Sequence, residues 1–102
     1  MTEYHLKFTP EALQDIIEAA NYYEDCKKGL GKRFRNEIKR KLIWIKEAPF
    51  VYAVRYKNVR FILTETFPYT IHFTIQENRQ IIEVHAVLSQ FRNPDKFWKD
   101  YD

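Results

Sequence analysis

The sequence predicts an α+β domain in which an N-terminal strand leads into an antiparallel helical hairpin, packed on one face of a mainly antiparallel four-stranded sheet. Apolar residues recur at helical spacing in two stretches between residues 10 and 47. From residue 52 onward they alternate with polar residues in short runs, the pattern of strands. A length of 102 residues suits one folding unit, so we expect a single domain over residues 1–102.

The first strand and the first helix have clear local signals. Residues 4–8 alternate between apolar and polar side chains, which predicts a half-buried strand. Thr9 is placed to cap the helix that follows, and Pro10 occupies its first position, where a missing N–H costs nothing. We expect this helix to run from Pro10 to about Lys27 and to end at the glycine-containing turn 29–31.

A second helix and the strands of the sheet follow. Apolar spacing predicts a helix from about Lys32 to Glu47, which ends before Pro49 because the residue preceding a proline disfavours helix. Two helices joined by a short turn predict an antiparallel hairpin. The remaining strands are predicted at Tyr52–Tyr56, Val59–Glu65, Tyr69–Gln76 and Gln80–Leu88, and the first two of these can also be one bent strand.

The pairing of the last two strands follows from the side chains that must face the core. Their alternate apolar residues share one face only if the loop between them has an even number of residues. A two-residue loop at 78–79 meets this condition. It pairs Phe73 with Val84 on the inner face and His72 with His85 on the outer face.

The same reasoning applied to the preceding hairpin brings a cation to this outer face. Pairing Phe61 with Ile71 puts both on the inner face and places Arg60 beside His72. The sequence therefore predicts a row formed by Arg60, His72 and His85 across three strands.

Charge is strongly segregated along the chain. Residues 1–25 carry six acids against one base, whereas residues 27–46 carry nine bases against the single acid Glu37. Such a basic block suits a phosphate-bearing or acidic partner, and equally a solvated helix face beside an acidic neighbour. Ile43 points away from the apolar stripe of the second helix, which favours a partner that covers it; a merely exposed isoleucine is the alternative.

Several function classes are disfavoured by composition. One cysteine and three scattered histidines give no metal-ligand spacing, so we expect no metal, and a domain this small leaves little core for an enclosed cofactor. Cys26 has no partner for an internal disulfide and no sign of activation. No apolar run matches a membrane span or a signal peptide, and we therefore expect a cytoplasmic protein.

Short segments in order along nearly the whole chain resemble the RelE/ParE family of type II toxins, and its ParE-like branch most closely. They are FTPEA at 8–12, AANYYE at 19–24, GLGKRF at 29–34, FPY at 67–69, and AVL at 86–88 followed by RNP at 92–94 and Trp98. The resemblance implies a RelE/ParE toxin fold. It also implies a small cytosolic protein that arrests growth and that a cognate antitoxin holds inactive in a hetero-oligomer.

The resemblance implies two alternative activities and one inactive state. ParE-like members bind DNA gyrase and trap its cleaved DNA complex, with no chemistry of their own. RelE-like members cleave mRNA in the ribosomal A site. A third alternative is an inactive member that serves only as corepressor with its antitoxin.

A metal-independent endoribonuclease needs cations at the phosphate and groups that move protons. The residues of this chain that suit those roles are Lys57, Arg60, Arg92, His72 and His85. The RelE-like pattern commonly has a Tyr or His near the C-terminal end, where this chain has Phe97 and Trp98. We therefore expect the gyrase-binding activity and no catalytic residues.

Two binding surfaces are expected on a toxin of this kind. We expect the antitoxin to bind the basic second helix at Arg35, Lys39 and Ile43, where apolar burial and charge complementarity combine. We expect the target to bind the tail at Arg92, Lys96 and Trp98, because Arg and Trp are enriched at interface hot spots.

Overall fold

The computed structural model describes residues 3–90 of the chain. In chain order its elements are β1 (His5–Phe8), α1 (Pro10–Cys26), α2 (Leu30–Glu47), β2 (Val54–Tyr56), β3 (Val59–Leu63), β4 (Tyr69–Gln76) and β5 (Ile81–Ser89). Within these described residues the strands form one sheet in the order β1-β5-β4-β3-β2, in which the β1–β5 pair is parallel and the other pairs are antiparallel. The predicted α+β class is confirmed.

The sheet has five strands in the described residues, and the prediction of four is wrong. β1 joins the sheet beside β5, and the turn at Lys57 separates β2 from β3 instead of letting them form one bent strand. Lys57 has a φ of 48°, the left-handed conformation that a tight turn requires.

The helical hairpin covers one face of the sheet, which we call the inner face. Side chains from α2 and from the central strands meet there without solvent between them. The largest fully buried side chains of this core are Phe34, Phe73, Ile45, Ile71, Ile82 and Val84. This apolar layer fixes the orientation of α2, whose opposite surface carries exposed basic residues such as Arg35 and Lys39.

The two helices approach each other closely at Gly31. A Cβ atom at this position would lie 2.5 Å from the backbone oxygen of Ala20, so only glycine fits. α2 begins at Leu30, two residues before the predicted start, and Gly31 therefore lies in the helix and not in the turn. Glu24 of α1 caps the N-terminus of α2, because its carboxylate accepts the N–H groups of Gly29 at 3.0 Å and Gly31 at 3.1 Å.

Thr9 caps α1 as predicted, and residues in the first half of α1 and at its cap form hydrogen bonds with β5. The Thr9 hydroxyl accepts the Ala12 N–H at 3.1 Å and donates to the backbone oxygen of His85 at 3.1 Å. Asp15, further along α1, accepts the Val87 N–H at 3.0 Å. These bonds hold an irregular stretch of β5 against the first half of α1.

That irregular stretch is a β-bulge, and it changes the predicted pairing of the histidines. Phe73 pairs with Val84, as predicted, but the register shifts between His72 and Phe73. His72 pairs with Ala86, so the prediction that it lies opposite His85 is wrong. His85 is the extra residue of the bulge. The loop between β4 and β5 covers residues 77–80, which is four residues instead of the predicted two. Its length is still even, as required for the apolar residues of both strands to share one face.

The β3–β4 pairing differs from the prediction by one residue. Phe61 pairs with His72 and Arg60 with Phe73, so the predicted pairing of Phe61 with Ile71 is wrong. A slip of one residue turns every side chain of a strand to the other face. Arg60 therefore shares the inner face with the core residue Ile62 and does not lie beside the histidines.

Candidate functional site

The two histidines lie on the face of the sheet opposite the helices, which we call the outer face. His72 is only 3% exposed, and its Nε2 lies 2.8 Å from the Thr70 hydroxyl. His85 lies on the neighbouring strand, with its Nε2 2.9 Å from the Thr74 hydroxyl. A threonine hydroxyl on the same face thus orients each ring.

The surroundings of His72 keep its ring neutral. Burial, and then the charge of nearby His85, lower the pKa of His72 to about 4. His85 is more exposed, and its Nε2 lies 3.8 Å from Glu83 Oε1. A group with such a low pKa is a weak base at neutral pH, so His72 is a poor proton acceptor.

Arg60 does not join the histidines, and the predicted row across three strands is wrong. Its Nη1 donates to the backbone oxygen of Tyr52 at 2.5 Å, and its Cζ lies 5.2 Å from the ring centroid of Phe50. Phe61 occupies the position beside His72, with 5.1 Å between the ring centroids. In the observed register Arg60 lies on the inner face. The next residue of β3, Phe61, therefore lies on the outer face beside His72.

Arg55 is the described arginine that does approach the outer-face aromatic side chains. Its Cζ lies 4.8 Å from the ring centroid of Phe61, which in turn contacts His72. Arg55 is not among the predicted site residues. Alternation within the predicted strand 52–56 puts its side chain on the other face from Val54, and this signal could have identified it. Lys57 is exposed in the β2–β3 turn.

The predicted target-binding residues Arg92, Lys96 and Trp98 lie outside the described residues. Their role stays a prediction from the sequence.

The predicted antitoxin-binding residues share one side of α2. Arg35, Lys39 and Ile43 follow one another at intervals of four residues and are all exposed, with Ile43 47% exposed. We call these three residues the α2 stripe. Gly31, where α2 contacts α1, lies four residues before Arg35 on the same side of α2. α1 exposes Leu13 and other apolar side chains of its own.

The other side of α2 faces the loop that joins β3 to β4. A cleft of about 200 Å³ separates them, and we call it the loop cleft; its lining residues are Arg33, Asn36, Glu37, Arg40, Thr66 and Phe67. The Arg40 side chain is 53% exposed at the edge of this cleft. The loop cleft and the α2 stripe therefore occupy different sides of one basic helix.

Glu37, the single acid of the basic block, is buried under the loop. Its Oε2 accepts the N–H groups of Thr66 at 2.9 Å and Phe67 at 3.3 Å, and its Oε1 lies 3.4 Å from Arg40 Nη2. Burial raises the pKa of Glu37, but hydrogen bonds from the loop outweigh it and hold the pKa below its usual value. Glu37 therefore acts as an ionised anchor of the loop.

Lys41 provides a second anchor for the same loop. Its side chain is 3% exposed, with Nζ 2.6 Å from Glu65 Oε1 and 3.8 Å from the ring centroid of Trp44. From the sequence alone, Lys41 and Glu37 belong to the charged surface of α2. Lys41, however, continues the helical spacing of the core residues Phe34 and Ile38, and this signal could have placed it on the buried side.

Residues 3–90 contain neither a candidate metal site nor a candidate membrane span. No group of three or more His, Cys, Asp or Glu side chains in this range is arranged to hold a metal ion. Neither α1 nor α2, the α-helices of this range, is long and apolar enough to cross a bilayer.

Comparison with solved structures identifies the fold. The ParE–ParD toxin–antitoxin system from the chromosome of P. aeruginosa matches with a TM-score of 0.72 and 16% identity, over 85% of this chain and 96% of that chain. The isolated E. coli RelE toxin matches with a TM-score of 0.66 and 19% identity, over 97% of this chain and 99% of that chain. The intact E. coli RelBE toxin–antitoxin complex gives a TM-score of 0.66 at 21% identity, over 87% and 99%.

Sequence comparison identifies the family. No curated protein sequence matches the chain. The model of the ParE toxin of the type II toxin–antitoxin system parDE matches residues 6–94, which is most of the chain and contains both helices, β2 to β5 and all of β1 except His5. The RelE/ParE resemblance of the sequence motifs is thereby confirmed, and the chain belongs to the ParE toxin family of type II toxin–antitoxin systems.

Proposed function

We propose that this toxin arrests growth by binding DNA gyrase, without catalysing a reaction of its own, and that a cognate antitoxin neutralises it. Family membership supports a toxin but does not separate binding from RNA cleavage. The observation that supports binding is the position of Arg60. Its guanidinium is occupied by Tyr52 and Phe50 on the inner face, away from the histidines that would have to share a scissile phosphate with it.

The outer-face histidines support the same choice. RNA cleavage by attack of a 2′-hydroxyl needs a base, an acid and a cation around one phosphate. His72 is buried, and its pKa of about 4 makes it a weak base. Phe61 occupies the outer-face position of β3 that a cation would need to take.

Two assays with the purified toxin test the proposal. With DNA gyrase and plasmid DNA, the toxin should inhibit supercoiling and increase the amount of cleaved DNA. With a purified translation system, ribosome-bound mRNA should stay intact. Cleavage of mRNA in the A site would overturn the proposal, and so would inactivity in both assays, the result expected for a corepressor without toxicity.

The alternative of an mRNA endonuclease keeps one observation in its favour. His72 and His85 lie close enough for the charge of one to lower the pKa of the other, and Arg55 approaches their face through Phe61. If the translation assay shows cleavage, His85→Ala should abolish it. Arg60→Ala should then leave cleavage largely unchanged, since its side chain contacts the inner face.

The proposed antitoxin site is the α2 stripe. The matching E. coli RelBE structure is itself a toxin–antitoxin complex, and an exposed isoleucine beside two cations offers apolar burial and positive charge to an acidic segment. Ile43→Asp should weaken the complex by about 1 to 3 kcal/mol in calorimetry. Leu63→Asp, an equally exposed position on β3, is the matched control and should bind normally. An unchanged affinity of Ile43→Asp would exclude the α2 stripe.

A further inference from the structure

We propose that the loop cleft binds a phosphate group of a nucleic-acid backbone. The cleft lies between α2 and residues 64–68 and has a volume of about 200 Å³. This surface is separate from the α2 stripe and from the outer face of the sheet. It deepens the proposed function, because a target that holds DNA presents backbone phosphates at its surface.

The side chains that line the cleft have the chemistry of a phosphate site. Arg33 and Arg40 supply two guanidinium groups, whose planar sets of N–H donors match phosphate oxygens in pairs. The Asn36 amide adds neutral donors beside them on the α2 wall. Protein–DNA contacts to phosphate use these same residue types.

Glu37 lines the cleft as well, but its charge is already balanced. One carboxylate oxygen accepts two backbone N–H groups of the loop, and the other lies 3.4 Å from Arg40. The Arg40 side chain remains 53% exposed, so most of its donors are available to a ligand. Glu37 therefore positions Arg40 and the loop instead of repelling an anion.

The loop wall of the cleft is fixed in place. Lys41, which is buried, bonds Glu65, and Glu37 bonds the next two backbone N–H groups of the loop. The Thr64 hydroxyl bonds the backbone oxygens of Phe67 and Tyr69 from the other end. A preorganised wall binds a ligand with less loss of entropy than a mobile one.

A phosphate backbone suits this cleft better than an acidic peptide does. Peptide interfaces are centred on an exposed apolar or aromatic anchor. The single apolar residue among the lining residues is Phe67, which is 5% exposed and belongs to the core. The α2 stripe, in contrast, contains exposed Ile43 and is the better peptide surface.

Direct binding to nucleic acid tests the site without gyrase. The probes are a fluorescent DNA duplex of about 20 base pairs and a single-stranded RNA of about 20 nucleotides, each titrated with the full chain between about 50 and 200 mM salt. Arg33→Ala/Arg40→Ala should weaken binding to at least one probe about tenfold or more and lower the log–log salt slope by about 1 to 2. The probe that shows the larger loss identifies DNA or RNA as the source of the phosphate.

A matched control removes the same charge elsewhere. Lys7→Ala/Arg79→Ala also deletes two exposed cations, on β1 and in the 77–80 loop, and should change the affinity less than about twofold. Arg33→Lys/Arg40→Lys keeps the charge but loses the paired donors, and should give an intermediate affinity. Thermal unfolding of each variant should stay close to that of the unaltered chain, since Arg33 and Arg40 are exposed and Glu37 keeps its bonds to two backbone N–H groups of the loop when Arg40 is removed.

Three results would overturn the proposal. The first is unchanged affinity and salt slope in Arg33→Ala/Arg40→Ala. The second is an equal loss in the Lys7→Ala/Arg79→Ala control, because binding would then follow net charge. The third is a selective loss of affinity for the antitoxin with intact nucleic-acid binding, which would assign the cleft to an acidic protein. Inhibition of gyrase is scored separately, so failure of the cleft and failure of the proposed function can be distinguished.

Discussion

The inner and outer faces of the sheet are both buried near its centre, but different chemistry buries them. The inner face is closed by apolar residues such as Ile71 and Phe73, which are fully inaccessible to solvent. The outer face has His72 and Thr74 nearly inaccessible as well, 3% and 8% exposed, and there His72 Nε2 and the Thr74 hydroxyl bond to the side chains of Thr70 and His85. A strand can thus bury both of its sides, but the polar side adds a dependence on pH that the apolar side lacks.

The largest expected effect comes from removing inner-face packing. Phe73→Ala should lower the free energy of unfolding by about 3 to 5 kcal/mol, because its ring is fully buried among core residues. Phe61→Ala removes the same ring from the outer face, where the side chain is partly exposed, and should cost about 1 to 2 kcal/mol. Urea unfolding measures both, and equal losses would contradict the difference between the faces.

The pH dependence of the outer face is the next largest effect. The pKa of His72 is about 4 in the folded protein and about 6.5 in an unfolded chain. Well above pH 6.5 neither state is protonated at this residue, and as the pH falls through 6.5 towards 4 only the unfolded state gains the proton. The folded protein should therefore lose about 2 kcal/mol of stability between pH 7 and pH 5 from this residue.

Variants isolate this contribution. His72→Gln should remove that part of the pH dependence, whereas His5→Gln, at an exposed position on β1, should keep it. Chemical unfolding at several pH values measures the slope. An unchanged slope in His72→Gln would show that the outer face does not titrate as inferred.

Removing the hydrogen bond between α1 and the bulged strand β5 should reduce stability by a smaller amount. Asp15→Ala removes the acceptor of the Val87 N–H and should cost about 1 to 2 kcal/mol, because that donor would then lack its carboxylate partner. Glu18→Ala on the same helix is the matched control and should cost about 0.5 kcal/mol or less. Equal stabilities of the two variants would mean that α1 does not hold the bulge.

The smallest expected change in stability is at Arg92. Arg92→Ala should leave the free energy of unfolding within about 0.5 kcal/mol of the unaltered value while reducing growth arrest, because this residue is predicted to contact the target. Arg79→Ala, at an exposed loop position, is the control and should retain full toxicity at equal expression. Full toxicity of Arg92→Ala would move the target contact elsewhere on the molecule.

The apolar framework was predictable from the sequence, and the bulge was not. Spacing alone gave both helices and the pairing of Phe73 with Val84, because an apolar core tolerates one register. In the second half of β5, Ala86, Val87 and Leu88 are all apolar, so no alternation shows where the register shifts. The hydrogen bond from Val87 to Asp15, which helps to hold the bulge, joins residues 72 positions apart, and no local pattern reveals it.

The candidate site was less predictable, because polar contacts decided it. The position of Arg60 depended on a shift of one residue in the pairing of β3 with β4, and Thr64 bonds within the loop that joins them. The roles of Glu37 and Lys41 required the loop to be in place above α2. Composition identified the basic block correctly, but only packing separates its buried members from its exposed ones.

The parallel pairing of β1 with β5 has a consequence for the time course of synthesis. His5 pairs with Ile81, and the bond between Thr9 and His85 joins residues 76 positions apart. At about 5 to 20 residues per second, β1 is without its partner for roughly 4 to 15 s of translation. β5 lies between β1 and β4, so the two pairings that join β1 to the rest of the sheet form only after β5 has been synthesised. The residues of both helices, 10–47, are synthesised before β2 to β5, so a partner can meet the residues of the hairpin before the sheet is complete.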